Sequence, residues 1–138
     1  MTDRSEQEFQ ELVAHLVAHA NKALTTSNEA PPMSLALTTS GDVEIGVGVA
    51  DPESLQDVVN AMQQALSDRA VSKEITAACI AFSNNGEGHI NAFLENDENY
   101  CAKAVLPVEG DGSGRSINLA NIAVEDGSIF VFPIVGES

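Results

Sequence analysis

Apolar residues recur at intervals of three and four from Ser5 to Leu24, where Phe9, Leu12, Val13, Leu16, Val17, Ala20 and Leu24 fall on one stripe. Glu6, Glu8 and Glu11 enrich the first turns. This is the period of an amphipathic helix with carboxylates near the positive end of its dipole. It should stop near Thr25-Thr26-Ser27-Asn28, ahead of Ala30-Pro31-Pro32, because a proline disfavours helix in the residue before it. The period then changes to two. Met33-Ser34-Leu35-Ala36-Leu37 alternates, Gly41-Asp42 supplies a turn, and Val43 to Val49 alternates again, which predicts a β-hairpin. Met33, Leu35, Leu37, Val43, Ile45, Val47 and Val49 should face the core.

Asp51-Pro52 reads as a cap followed by a proline in the first helical position. It opens a second helix with Leu55, Val58, Val59, Met62 and Leu66 on one stripe and an end between Asp68 and Ala70. Ile75 to Phe82 is almost continuously apolar, the mark of a central strand covered on both faces. The cluster Asn84-Asn85-Gly86-Glu87-Gly88 leads to an alternating strand from His89 to Glu95. After the polar turn Asn96-Asp97-Glu98-Asn99, strand character resumes from Tyr100 to Leu106 and should end at Pro107, which has no ladder donor. Beyond the loop Glu109 to Arg115, Ile117 to Val124 and Ser128 to Val135 are expected as two more strands.

These elements make one domain, residues 1–138, of the α+β class. Its order is α-β-β-α-β-β-β followed by up to two further strands, a mainly antiparallel sheet of five to seven strands with both helices on one face. The strand–helix–strand stretch from Val43 to Phe82 suggests a right-handed crossover that leaves its two strands parallel. A chain of 138 residues is long enough for a single core. With five Phe, one Tyr and no Trp, the core volume must come from aliphatic side chains.

Charge narrows the function classes. Six Lys and Arg against 21 Asp and Glu give a net charge of −15, which repels nucleic acid and anionic membrane surfaces and favours a basic protein partner. No basic segment followed by an apolar stretch opens the chain, so a cytoplasmic location is expected. Cys79 and Cys101 lie in apolar strands without Cys-x-x-Cys spacing and read as reduced, structural thiols.

Five constellations are candidates for interfaces or chemistry. If the large alternating residues face the helices, the other sheet face carries Ala36, Thr38, Gly46 and Gly48, joined by Ala77, Cys79 and Ala81. Glycine at alternate strand positions implies close approach of another backbone or sheet, which makes this small-residue face a candidate homodimer interface. His15 and His19 are four apart on the first helix, near Glu8 and Glu11, a spacing a divalent metal can use. Glu87, His89 and Glu95 share one strand face as a candidate acid/base set, although no nucleophile completes it. The loop Gly110 to Arg115 lacks the Lys-Ser/Thr ending of a phosphate cradle, and Asn96 to Asn99 lacks the length and glycine of a calcium loop.

The segment from Ala77 to Pro107 resembles a family of small uncharacterised bacterial α+β proteins. The shared pattern is an apolar strand, here Ala78-Cys79-Ile80-Ala81-Phe82, then a hairpin whose first arm is Ile90-Asn91-Ala92-Phe93-Leu94-Glu95 and whose second ends in Pro107. The turn Asn96 to Asn99 and Val108 depart from that pattern. The resemblance implies the α+β fold and carries no activity. Without a complete catalytic set, the expectation is a non-catalytic binding or regulatory protein, homodimeric, without a cofactor. The alternatives are a small metal-assisted hydrolase and an acidic inhibitor or immunity-type protein.

Overall fold

The computed structural model is described for residues 3–26, 31–48, 55–83, 88–110 and 116–133. In chain order the elements are α1 (Asp3–Thr26), β1 (Met33–Thr38), β2 (Val43–Val47), α2 (Leu55–Val71), β3 (Ile75–Phe82), β4 (His89–Asn96), β5 (Cys101–Glu109), β6 (Ser116–Ile117), a 3-10 turn (Leu119–Asn121) and β7 (Ala123–Asp126). The fold is α+β. The strands order as β2-β1-β3-β4-β5, and the outer edge of β5 is shared by β7 and β6.

Every pairing in the sheet is antiparallel. The crossover from β2 through α2 to β3 does leave those two strands pointing the same way, but β1 lies between them, so no parallel ladder forms. Its partners Ile45 and Cys79 both pair with Leu35, from opposite sides.

The helices sit on opposite faces, contrary to the one-face arrangement expected from their stripes. α1 buries Phe9, Leu12, Leu16 and Ala20 against Met33, Leu35, Ala77, Cys79, Ala81, Ala92 and Leu106. α2 buries Leu66 and Ala70, with Met62 and Val59, against Ala36, Ala78 and Ile80. Strand β3 explains this. Apart from Thr76 it is apolar throughout, and both parities must be withdrawn from water; α1 occupies one side, so α2 covers the other. β3 is the central strand read from the sequence, with the same bounds.

α2 ends in a hydrogen-bonding pattern that reverses the chain. Glu74 N–H donates to the Arg69 carbonyl and Lys73 N–H to the Ala70 carbonyl, which places Lys73 at φ 59° in the left-handed position where glycine is usual. The β1–β2 turn is closed by Thr38 N–H to the Asp42 carbonyl, with Gly41 at φ 93°.

Three expectations for the later strands change. β5 runs through Pro107 instead of ending there. Pro107 pairs with His89, while its missing N–H falls at the break between β7, which reaches Val105, and β6, which starts at Val108. Residues 117–124 divide into the end of β6, a 3-10 turn and the start of β7, because Asn118 caps the turn through its side chain, accepting from Ala120 N–H. The expected last strand is absent between Gly127 and Pro133; Ile134 and Val135 lie outside the described residues. Phe130, Val131 and Phe132 instead point their N–H groups at a side chain. That diverts them from any ladder.

α1 is tied to the β4–β5 turn by a polar cluster that the hydrophobic pattern does not show. Ser5 and Glu8 occupy the buried stripe of α1, and Asn96 is fully buried below them. Asn96 Nδ2 donates to Ser5 Oγ (2.7 Å) and Glu8 Oε1 (3.2 Å), and its Oδ1 accepts from Glu98 and Tyr100 N–H (3.1 Å each). Two backbone donors fix which end of the amide is oxygen, and all four of its hydrogen-bonding capacities are used. Arg4 reaches from the first turn to Glu8, Asp97 and Glu98.

Candidate functional site

The small-residue set divides between the two faces, and apart from the exposed Gly46 it is buried or partly buried on both. Leu37 pairs with Ala77, Leu35 with Cys79 and Met33 with Ala81, so these three small residues belong to the α1 side, where each has 0% exposure. Ala36 is buried under α2, and a Cβ on Gly48 would lie 2.5 Å from Val58 Cγ1, a side chain of that helix. Thr38 is half-buried at the bulge closing β1, bonded through Oγ1 to Ser40 and Asp42. Gly48 does mark a close approach, but the approaching element is α2 of the same chain, whereas a Cβ on Gly46 would meet only Ser34 Oγ of β1. Ala77, Cys79 and Ala81 therefore present no surface to a second copy.

The described histidines do not assemble into a metal-binding cluster with carboxylates. His15 and His19 are exposed on the outer flank of α1, whereas Glu8 turns inward to Asn96. Among the described residues no group of three His, Cys, Asp or Glu side chains is arranged to hold a metal ion. His89 and Glu95 lie on the same side of β4, but six residues of strand separate them, about 20 Å. His89 pairs with Pro107 and Glu95 with Cys101. Glu87 lies outside the described residues.

Glu95 is used in another way. Its carboxylate, 3% exposed, accepts three backbone N–H groups: Phe130 on Oε2 at 2.9 Å, Val131 on Oε1 at 2.7 Å and Phe132 on Oε1 at 2.8 Å. Consecutive N–H groups aimed at one anion form a nest, and the charge strengthens each bond. The contact anchors residues 130–132 on the α2 side of the sheet, where Val131 and Phe132 join the apolar core. Glu95 is thus a buried structural anion. A lone glutamate at an inward strand position was the available sequence signal.

Neither cysteine is poised as a nucleophile. Burial pushes the Cys79 thiol up to about 12, and Cys101 is raised by burial and then by the nearby charges of Glu95 and Asp126. A thiol that stays protonated is a poor nucleophile.

Among the described residues, the sheet face on the α2 side is only partly covered. α2 lies over β3 and the β1–β2 hairpin, leaving the β4–β5 half to the segment around Phe130. Phe82 and Phe93 stack there with ring centroids 5.6 Å apart, and Phe130 meets Phe93 edge-on at 6.0 Å. Three of the chain's five phenylalanines therefore share this half-exposed face, Phe130 being 45% exposed. The ammonium of Lys103 sits 5.7 Å from the Phe93 ring centre and 3.9 Å from Glu125. Glu109, Glu125 and Asp126 stand exposed along the adjoining strands.

Where α2 does cover the sheet, it leaves a cleft of about 250 Å³. Ser34, Ala36 and Gly46 form the floor, Met62, Ala65 and Leu66 the wall, and the ion pair Arg69–Glu44 (2.7 Å) spans the mouth.

No helix among the described residues is long and apolar enough to cross a membrane. Comparison with protein-family models, curated proteins and solved structures finds no significant match to this chain.

Proposed function

We propose that this chain is a binding protein rather than an enzyme, and that it docks a Lys/Arg-rich protein segment on the half-covered β4–β5 face. The observation that carries the reading is the cluster of Phe82, Phe93 and Phe130 left accessible beside exposed carboxylates. Aromatic rings that remain partly in water are the usual anchors of protein interfaces. Their quadrupoles attract cations, and Lys103 over Phe93 is that contact made within the chain. The net charge of −15 steers a basic partner toward the surface and opposes a second copy of this chain. This reading is nearest to the acidic-inhibitor alternative; the separation of His89 from Glu95 weighs against the hydrolase.

The test is affinity capture from native lysate with the full chain and its Phe130→Ser variant, at low and high salt, followed by titration of the proteins retained. Phe130 is exposed, so the variant should fold. A basic protein bound at low salt, released by salt and weakened about tenfold by Phe130→Ser fits the proposal. Binding that ignores both salt and the variant, or recovery of this chain alone as a stable dimer in sedimentation, would overturn it.

A further inference from the structure

We propose that the cleft between α2 and the β1–β2 hairpin is a binding site for a small zwitterion of the amino-acid type, with a short aliphatic side chain. A cleft of about 250 Å³ has room for a ligand as small as valine. The walls select an apolar body: Met62, Ala65 and Leu66 face Ala36 and Gly46, and only the Ser34 hydroxyl adds polarity at the floor. The floor is kept low by glycine, since a Cβ at Gly46 would stand 2.7 Å from Ser34 Oγ.

The mouth selects the charges. Arg69 presents a guanidinium suited to a carboxylate, and Glu44 presents a carboxylate suited to an ammonium group. Both side chains are partly exposed, at 31% and 52%, so their mutual bridge contributes little and costs little to open. A ligand carrying both charges replaces that one contact with two, its carboxylate on Arg69 and its ammonium on Glu44. The overall charge of −15 discriminates further, because it repels a simple anion but exerts no net force on a neutral zwitterion. A simple cation finds Glu44 but leaves Arg69 without a partner.

The site is independent of the β4–β5 face, and the experiment separates the two. The ¹⁵N-labelled full chain is titrated with L-valine, and in parallel with isobutyrate and isobutylamine, which keep the body and remove one charge each. Saturable shifts of the Gly46, Ala65 and Leu66 amides are expected with L-valine at about millimolar concentration. Either single-charge analogue should bind about tenfold more weakly. Ala65 is exposed on α2 and lines the cleft, so Ala65→Phe should fill the space and abolish the shifts without unfolding the protein, while Phe130→Ser should leave them intact. No saturable shift at those amides up to about 50 mM L-valine overturns the proposal. So does valine binding that survives Ala65→Phe, or isobutyrate or isobutylamine binding as tightly as valine.

Discussion

Replacing Glu95 with glutamine tests whether one buried carboxylate holds the segment 130–132 in place. The carboxylate accepts three backbone N–H groups at 2.7–2.9 Å. In Glu95→Gln the single remaining oxygen can keep two of these, now as neutral bonds weaker by about 1 kcal/mol each. The new NH₂ must face the third N–H, donor against donor, which leaves a buried group unsatisfied at a cost of about 1–3 kcal/mol. Removing a buried charge returns part of this through relieved desolvation, so the expected net loss is about 2–4 kcal/mol. Urea unfolding followed by circular dichroism measures that loss, and hydrogen exchange of the 130–132 amides reports whether the segment detaches locally first. Glu95→Ala, which leaves all three donors orphaned, should cost at least as much. If Glu95→Gln stays within about 0.5 kcal/mol of the parent and those amides keep their protection, the carboxylate is not the anchor and the argument is refuted.

Two further predictions concern stability. Lys73 occupies a left-handed position after α2 at φ 59°. Lys73→Gly should therefore stabilise the protein by about 1 kcal/mol, raising the thermal midpoint by about 3–5 °C, and a lower midpoint would count against the assigned helix ending. The Cys79 thiol gives a pH dependence whose sign follows from its pKa, raised by burial from 9.0 to about 12. The unfolded chain releases this proton near pH 9 while the folded chain keeps it to about 12. The contribution is complete below pH 9 and is lost between pH 9 and 12 at about 1.4 kcal/mol per pH unit. Urea midpoints of the parent should fall more steeply over that range than those of Cys79→Ala, and parallel slopes would contradict the assignment.

Much of the architecture was legible because the solvent boundary imposes a period on each element. The stripe Phe9, Leu12, Leu16 and Ala20 announced α1, and the almost continuously apolar run of Ile75 to Phe82 announced β3. The same run held the clue to the layer order: a strand apolar on both parities needs cover on both faces, which two helices on one side do not supply. Of the Gly46 and Gly48 pair only Gly48 lies under another element, and one-dimensional spacing does not say that this element is α2. Between Ser128 and Pro133 the expected strand failed for a different reason. Its β-compatible residues spend their N–H groups on a carboxylate thirty-five residues earlier, and that contact outweighs local preference.

The candidate sites show the same division. That His89 and Glu95 share a strand side follows from the strand period of two, and that they are too far apart to cooperate follows from the rise per residue. The aromatic face needed the fold, since Phe82, Phe93 and Phe130 come from β3, β4 and the final segment and meet only through the β3–β4 register and the Glu95 anchor. The cleft likewise joins Glu44 on β2 to Arg69 at the end of α2. By itself the sequence determined the elements, their amphipathic faces and the strong negative charge, because each depends on neighbours in the chain or on composition. Tertiary structure alone decided which face each helix covers, which polar residues become interior anchors and which side chains remain in water. Those outcomes depend on contacts between distant segments, whose energies no local pattern contains.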